Sequence, residues 1–149
     1  MVIKSNVMKK IILITICTFI GLTACEKKST THEIPLSESI CGEWRGTGLS
    51  VDAGIYVDFN SDGTFELYQK LTDEEFELRR GTWKIAGNIL SGSYNDGEPW
   101  ACSYQATVSG NALTLVAQSE GSETNVYAKT EIPAYIKENC TIVVRSTAL

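Results

Sequence analysis

The sequence predicts an all-β domain: about eight antiparallel strands closed as an up-and-down barrel, followed by a short C-terminal helix. Three observations predict it. Apolar residues recur with period two from residue 41 to about residue 130, as in strands that bury one face. Gly- and Asn-containing turns break the runs every 8–12 residues or so, the rhythm of hairpins. No segment before residue 131 carries a helical period.

The elements follow in order. Gly42, Glu43 and Trp44 open the first strand. Ile55, Val57 and Phe59 alternate with Tyr56 and Asp58, and Phe65 and Leu67 alternate with Glu66. Phe76 and Leu78 then alternate with Glu75, Glu77 and Arg79, a pattern that places the charged set in water. Trp83 and Ile85 continue one residue out of phase, which predicts a β-bulge near Arg80 and Gly81. Leu90, Gly92 and Tyr94 form the next set. Trp100, Cys102, Tyr104, Ala106 and Val108 form the longest. Leu113, Leu115 and Ala117 follow, then Val126 with Ala128. Pro133 opens a short helix over residues 132–138, and residues 141–145 make a last strand. Sheets of this kind remove their exposed edges by closing. Residues 84–90 and 107–113 echo each other, which reads as one hairpin type used twice.

The first 24 residues differ in kind. Lys4, Lys9 and Lys10 precede any acidic residue, and the 14 residues of 11–24 are almost wholly apolar. A spanning helix needs roughly 20, so the stretch reads as a cleaved export signal, with Met8 a second plausible start. Leu22, Thr23, Ala24 and Cys25 end it, and this resembles the lipobox of bacterial lipoproteins. The resemblance implies cleavage before Cys25, a diacylglyceryl group on its thiol, and an acylated amine with chains of the palmitate kind. Two or three such chains anchor a protein firmly, whereas one binds marginally. Glu26 after the cysteine fits, by the same resemblance, an outer-membrane address on either its periplasmic or its surface face. Residues 25–40 are polar and aperiodic with one proline. They read as a lipidated N-terminus and flexible tether, roughly 20 Å long on average. Residues 41–149 are left as the barrel domain.

Composition and motifs bound the chemistry. Beyond residue 24 stand 10 basic and 18 acidic side chains, a net charge of −8. Such a domain does not bind nucleic acid by charge. The sole histidine, His32, lies in the tether. Neither a Ser-His-Asp triad nor a histidine metal site can therefore be built inside the domain, and neither an enzyme nor a cofactor is expected. Asp58, Asn60, Asp62 and Gly63 match the start of a calcium loop. Its twelfth position is Gln69, however, and Phe59 and Phe65 flank the motif in strand phase, so a hairpin turn is expected. Asp73, Glu74, Glu75 and Glu77 near Arg79 and Arg80 read as a solvated face.

The strand pattern resembles the lipocalin-like lipoproteins of the Bacteroidetes type over about residues 41–130. Its pieces are Gly42-Glu43-Trp44, the run from Phe59 through Asp62-Gly63-Thr64-Phe65, Gly81-Thr82-Trp83, Ser109-Gly110-Asn111-Ala112-Leu113, and a short helix after the last strand. The resemblance implies a lipocalin/calycin-like barrel with a basic residue, here Lys129, packed over the tryptophan. It also implies that the strand after the helix returns beside the first strand, which would pair Cys41 with Cys140. Cys102, in phase with Trp100 and Tyr104, would remain a buried thiol. Trp44, Trp83, Trp100 and Tyr104 point into one barrel, where they either fill it or line a site for a small apolar ligand. The leading expectation is a membrane-anchored module that binds such a ligand. The second is a protein-interaction module, such as an inhibitor of a host hydrolase, working through the loops at residues 50–53 or 95–99.

Overall fold

Eight strands run up and down and close on themselves in a computed structural model of the chain, which describes residues 34–49, 54–71 and 75–144. Cys25, His32, the expected export signal and most of the expected tether lie outside the described residues. In order, the elements are α1 (Leu36–Ser39), β1 (Gly42–Gly46), β2 (Gly54–Phe59), β3 (Thr64–Lys70), β4 (Glu77–Ala86), β5 (Ile89–Tyr94), β6 (Tyr104–Ser109), β7 (Ala112–Ala117), β8 (Thr124–Lys129), α2 (Ala134–Glu138) and β9 (Thr141–Ile142). Consecutive strands of the eight pair antiparallel, and β8 returns to β1 through Trp44 opposite Lys129 and Gly46 opposite Tyr127. The family-level expectation of an eight-stranded up-and-down barrel with a short C-terminal helix is therefore met.

The end of the barrel where β1 begins is closed. α1 and Ile40 cover it, and Ile40 and Trp44 are both fully buried. The Trp44 indole N–H donates to the Ile40 carbonyl at 2.8 Å. Residues 36–40, expected in the tether, instead form α1 and the seal of the barrel end, because Leu36 and Ile40 carry apolar surface that this end takes up.

Strand β4 holds an unbroken register with β3, from Thr64 opposite Thr82 to Gln69 opposite Glu77, and with β5 as far as Gly81 opposite Tyr94. The expected bulge at Arg80 and Gly81 is not there. The apolar residues change phase because β4 buries both faces. Gly81, Trp83 and Ile85 face inward, while Leu78 faces outward beneath α2. Leu78 ends an outer row, Tyr56–Tyr68–Leu78, formed by register partners on β2, β3 and β4. Ile132 and Ile136 cover that row. Glu77 and Arg79, expected in water, are consequently on the inner face.

The C-terminal segment corrects the expected disulfide. β4 has ten residues and β5 six, so the first turn of β4 has a free edge, and β9 fills it in parallel, with Thr141 opposite Glu77 and Ile142 opposite Leu78. Cys140 is carried to the open end of the barrel, and Cys41 sits at the closed end. Cys41, Cys102 and Cys140 are all free thiols. The Cys41 thiol donates to the Ser37 carbonyl at 3.1 Å and is pushed up in pKa chiefly by burial.

Beside the apolar row runs a charged one: Glu43, Asp58, Glu66 and Arg80 are successive register partners on β1 to β4. Lys137 of α2 bonds Glu43 at 2.6 Å, the Ile132 amide donates to the same carboxylate, and Arg80 bonds Glu66 at 2.7 Å. Burial, reinforced by Glu43, raises the Asp58 pKa above its ordinary value.

Two outcomes follow from this face. Ile136→Ala removes the main apolar contact of α2 and is expected to cost about 2–5 kcal/mol; urea unfolding measures it, and hydrogen exchange at Val143, whose amide bonds Leu78, should quicken with it. A raised carboxyl stabilises the fold while protonated and loses that contribution as pH climbs through its folded value. Asp58→Asn should therefore raise the urea midpoint at neutral pH and leave it unchanged near pH 3, where both side chains are uncharged.

Candidate functional site

The interior divides along the barrel axis. Toward the closed end the aromatic rings spend their polar groups on the backbone. Trp83 Nε1 donates to the carbonyls of Asn60, at 3.2 Å, and Thr64, at 3.0 Å, and its ring meets Phe59 edge-on at 5.5 Å. Trp44 is likewise committed to Ile40, with Lys129 Nζ 4.8 Å from its ring centroid and bonded to the Cys41 carbonyl at 2.9 Å. Trp44 and Trp83 are therefore part of the plug and do not line a ligand site.

Toward the other end lies a cavity of about 160 Å³, reaching the surface beside exposed Ala101. Phe59, Phe65, Tyr94, Trp100, Tyr104 and Tyr127 form its aromatic wall, and Val57, Leu67 and Leu115 its aliphatic part. Of the four residues the sequence nominated, Trp100 and Tyr104 line this cavity, and Trp44 and Trp83 do not. Tyr94 was in the apolar phase of its strand, but Tyr127 was not: the sequence put Val126 and Ala128 in that phase, whereas the structure turns Tyr127 inward and leaves Val126 and Ala128 exposed. The rings pack edge-on: Phe65 to Trp100 at 5.2 Å, Phe65 to Tyr94 at 5.9 Å, Trp100 to Tyr104 at 6.2 Å. Such arrangements suit the ring quadrupoles and hold the wall in one shape.

Trp100 does not belong to a strand. Strand β6 begins only at Tyr104, and residues 100–103 form the loop before it. After the turn at Asn95, Asp96 and Gly97 the chain folds back, Pro99 bridges Ser93, and the Trp100 amide bonds the Gly92 carbonyl at 2.9 Å. The indole then lies directly over Gly92. A Cβ at residue 92 would stand 2.5 Å from Trp100 Cε2 and 2.7 Å from the Thr82 carbonyl oxygen. Glycine is required here by close approach rather than by backbone angle.

The wall is electrically quiet. Burial raises the pKa of Tyr94, Tyr104 and Tyr127; at Tyr104 the neighbouring Cys102 thiol adds to it. All three hydroxyls are neutral at physiological pH. Cys102 itself is half-buried beside Tyr104 rather than in the core. The calcium-like loop is engaged in its own turn: Asp62 Oδ1 accepts from the Thr64 amide at 2.9 Å and the Thr64 hydroxyl at 2.6 Å. Those two bonds hold the Asp62 carboxyl below its usual pKa.

Gly92→Ala should displace Trp100 and cost about 1–3 kcal/mol, the range for overfilling a packed interior. Loss of near-ultraviolet circular dichroism together with a lower urea midpoint is the expected reading.

A search of the curated proteins finds no match to this chain. The family model described as a lipocalin-like domain matches residues 40–115, from the buried Ile40 through Trp44 and the β1–β7 wall. The match spans half of the chain and begins at the residue that seals the closed end. With the barrel, the Trp44–Lys129 pairing and this match together, the chain belongs to the lipocalin-like domain family.

Proposed function

We propose that this protein is a lipid-anchored, non-enzymatic binding module, and that its barrel holds one small apolar ligand against the aromatic wall. The observation that carries this reading is the cavity of about 160 Å³, lined by six aromatic side chains together with Val57, Leu67, Leu115 and Ala101. An apolar cavity of about 150 Å³ is known to stay dry and take a ring the size of benzene. Small-molecule sites are concave and mostly apolar, with a few polar groups at one place. The present cavity is small by that standard, so the occupant is a single ring or a short chain, or part of it projects past Ala101.

The anchoring half of the proposal rests on the lipobox at Cys25 and the export signal before it. Residues 34–41 enter the barrel at its closed end, and the cavity reaches the surface beside Ala101. The hydrolase-inhibitor reading needs a protruding loop. Of the two candidate loops, residues 50–53 lie outside the described residues, and the 95–99 segment folds back on β5, with the Tyr94 amide on the Glu98 carbonyl at 2.8 Å. The ligand reading is the better supported.

Leu115→Trp should fill the cavity. An apolar fluorescent probe that binds the wild-type protein should then fail to bind, while far-ultraviolet circular dichroism keeps its β signature. Undiminished probe binding would place the ligand elsewhere. Native mass spectrometry of protein from its own host should show a bound small molecule. Cys25→Ser should move the protein from the membrane fraction to the soluble fraction and abolish incorporation of labelled palmitate; retention on the membrane would end the lipoprotein reading.

A further inference from the structure

The outer surface of the barrel has two sectors, and they differ in kind. On β1 to β4 it carries the Tyr56–Tyr68–Leu78 row, sealed by Ile132 and Ile136, and beside it the charged row of Glu43, Asp58, Glu66 and Arg80. The sector on β6 to β8 has neither. Every second residue there points outward: 105 to 109 on β6, 112 to 116 on β7 and 124 to 128 on β8. The residues between them serve the interior, where Ala106, Leu113 and Leu115 are buried and Tyr127 lines the cavity. The register aligns the outward set in three rows, with Thr107, Thr114 and Val126 as the middle one. The outward residues of β6 and β8 are exposed, and those of β7 between them are half-buried by their neighbours.

None of these nine side chains is charged: four carry hydroxyls, four are alanine or valine, and one is Gln105. Beyond residue 24 the chain holds 10 basic and 18 acidic side chains, so two copies repel each other over most of their surface. This sector is where that repulsion is weakest. Its chemistry also suits pairing with itself. In a two-fold symmetric contact each surface meets an identical one, and a residue near the axis meets its own kind. Two like charges placed there repel. A hydroxyl both donates and accepts, so two of them can bond each other, and methyl groups gain by mutual burial. The same composition gives a strongly charged partner nothing to pair with. It also offers a bilayer little apolar surface, since of its two valines only Val126 is exposed, and that by 40%.

We propose that the outer face of β6, β7 and β8 is a self-association surface, on which a second copy of this chain packs its own β6–β8 face about a two-fold axis passing near Thr114. This goes beyond the ligand reading and does not depend on it. Sheet faces pack about 10 Å apart with their side chains interdigitated, and small and β-branched residues allow that approach. Three strands about 4.8 Å apart, each with three outward residues, span roughly 14 by 18 Å. The face is part of a curved wall, so the contact does not extend far past these strands. It is small beside the roughly 800 Å² per partner of a standard interface, and the dimer is correspondingly weak. The anchoring proposed above raises the local concentration of copies and favours the paired form.

The test is sedimentation equilibrium of the full chain in density-matched detergent micelles, under reducing conditions and with micelles in excess, from about 10 µM to 1 mM protein. Wild type should show a reversible monomer–dimer equilibrium with a dissociation constant below about 1 mM. Thr114→Glu and Thr114→Lys should each weaken it at least about tenfold, because like charges then meet at the axis. An equimolar mixture of the two variants should associate at least as tightly as wild type, because opposite charges meet. Tyr135→Glu adds the same charge at an exposed apolar residue of α2 and should change nothing. Isotope-filtered nuclear Overhauser contacts between a labelled and an unlabelled wild-type copy should join the methyl groups of Thr114 and Val126. Wild type that stays monomeric at about 1 mM overturns the proposal. So does association that survives both Thr114 variants, a mixture that does not restore it, or association lost in Tyr135→Glu. If the Thr114 variants do not fold, the contacts between wild-type copies decide, and their absence from this face overturns it.

Discussion

Lys129 over Trp44 is the contact on which the barrel depends. The lysine comes from the last barrel strand and the tryptophan from the first, and they are register partners across the seam where β8 meets β1. The ammonium lies 4.8 Å from the indole centroid and also bonds the Cys41 carbonyl. The indole N–H is spent on Ile40, so α1 is fixed by the same residue. One side chain thus joins first strand, last strand and closing turn. A cation held on an indole at an exposed position contributes on the order of 0.5–1 kcal/mol. Its larger effect is geometric: with the seam closed, neither β1 nor β8 presents an edge for another chain to pair with.

Closing one end forces a graded interior. Trp44 and Trp83 use their polar atoms on backbone carbonyls near the closed end, and Ile40, Leu90 and Leu113 fill the space beside them completely. Toward the other end the wall is made of rings packed edge-on against one another, and they leave a cavity. Aromatic rings hold edge-on contacts at fixed spacing, so they frame a gap without collapsing into it. The loop before β6 is essential to this. Only because the chain folds back after Asp96 can Trp100 lie on Gly92, inside a wall that β5 and β6 close with two paired residues.

The outer face is governed by the same burial logic. Tyr56, Tyr68 and Leu78 form an apolar row on the side that faces away from the barrel, and α2 is the element that covers it. The charged row next to it, Glu43, Asp58 and Glu66, is balanced by Lys137 and Arg80 from opposite sides. The helix therefore sits where apolar cover and charge balance coincide. β9 then runs onto the uncovered edge of β4 and hides the part that β5 is too short to reach. This second buried face is also what turns Arg79 inward.

By itself the sequence determined the barrel. Period-two alternation and hairpin chemistry are local properties, and they fixed the strands, the turns and the inward phase of Trp44, Trp83 and Tyr104 without reference to any partner. The lipobox-like run that ends at Cys25 is equally local. Tertiary structure decided everything that depends on what lies opposite. Leu78 and Arg79 alternate in the sequence as an apolar residue and a charge always do; which of them faces the interior depended on α2, some 55 residues away, covering the outer face. Trp100 matched the strand phase of Tyr104 and yet reached the cavity from a loop. The expected bond between Cys41 and Cys140 failed because β9 found its free edge on β4. An edge is a property of neighbouring strand lengths, and no local pattern encodes it.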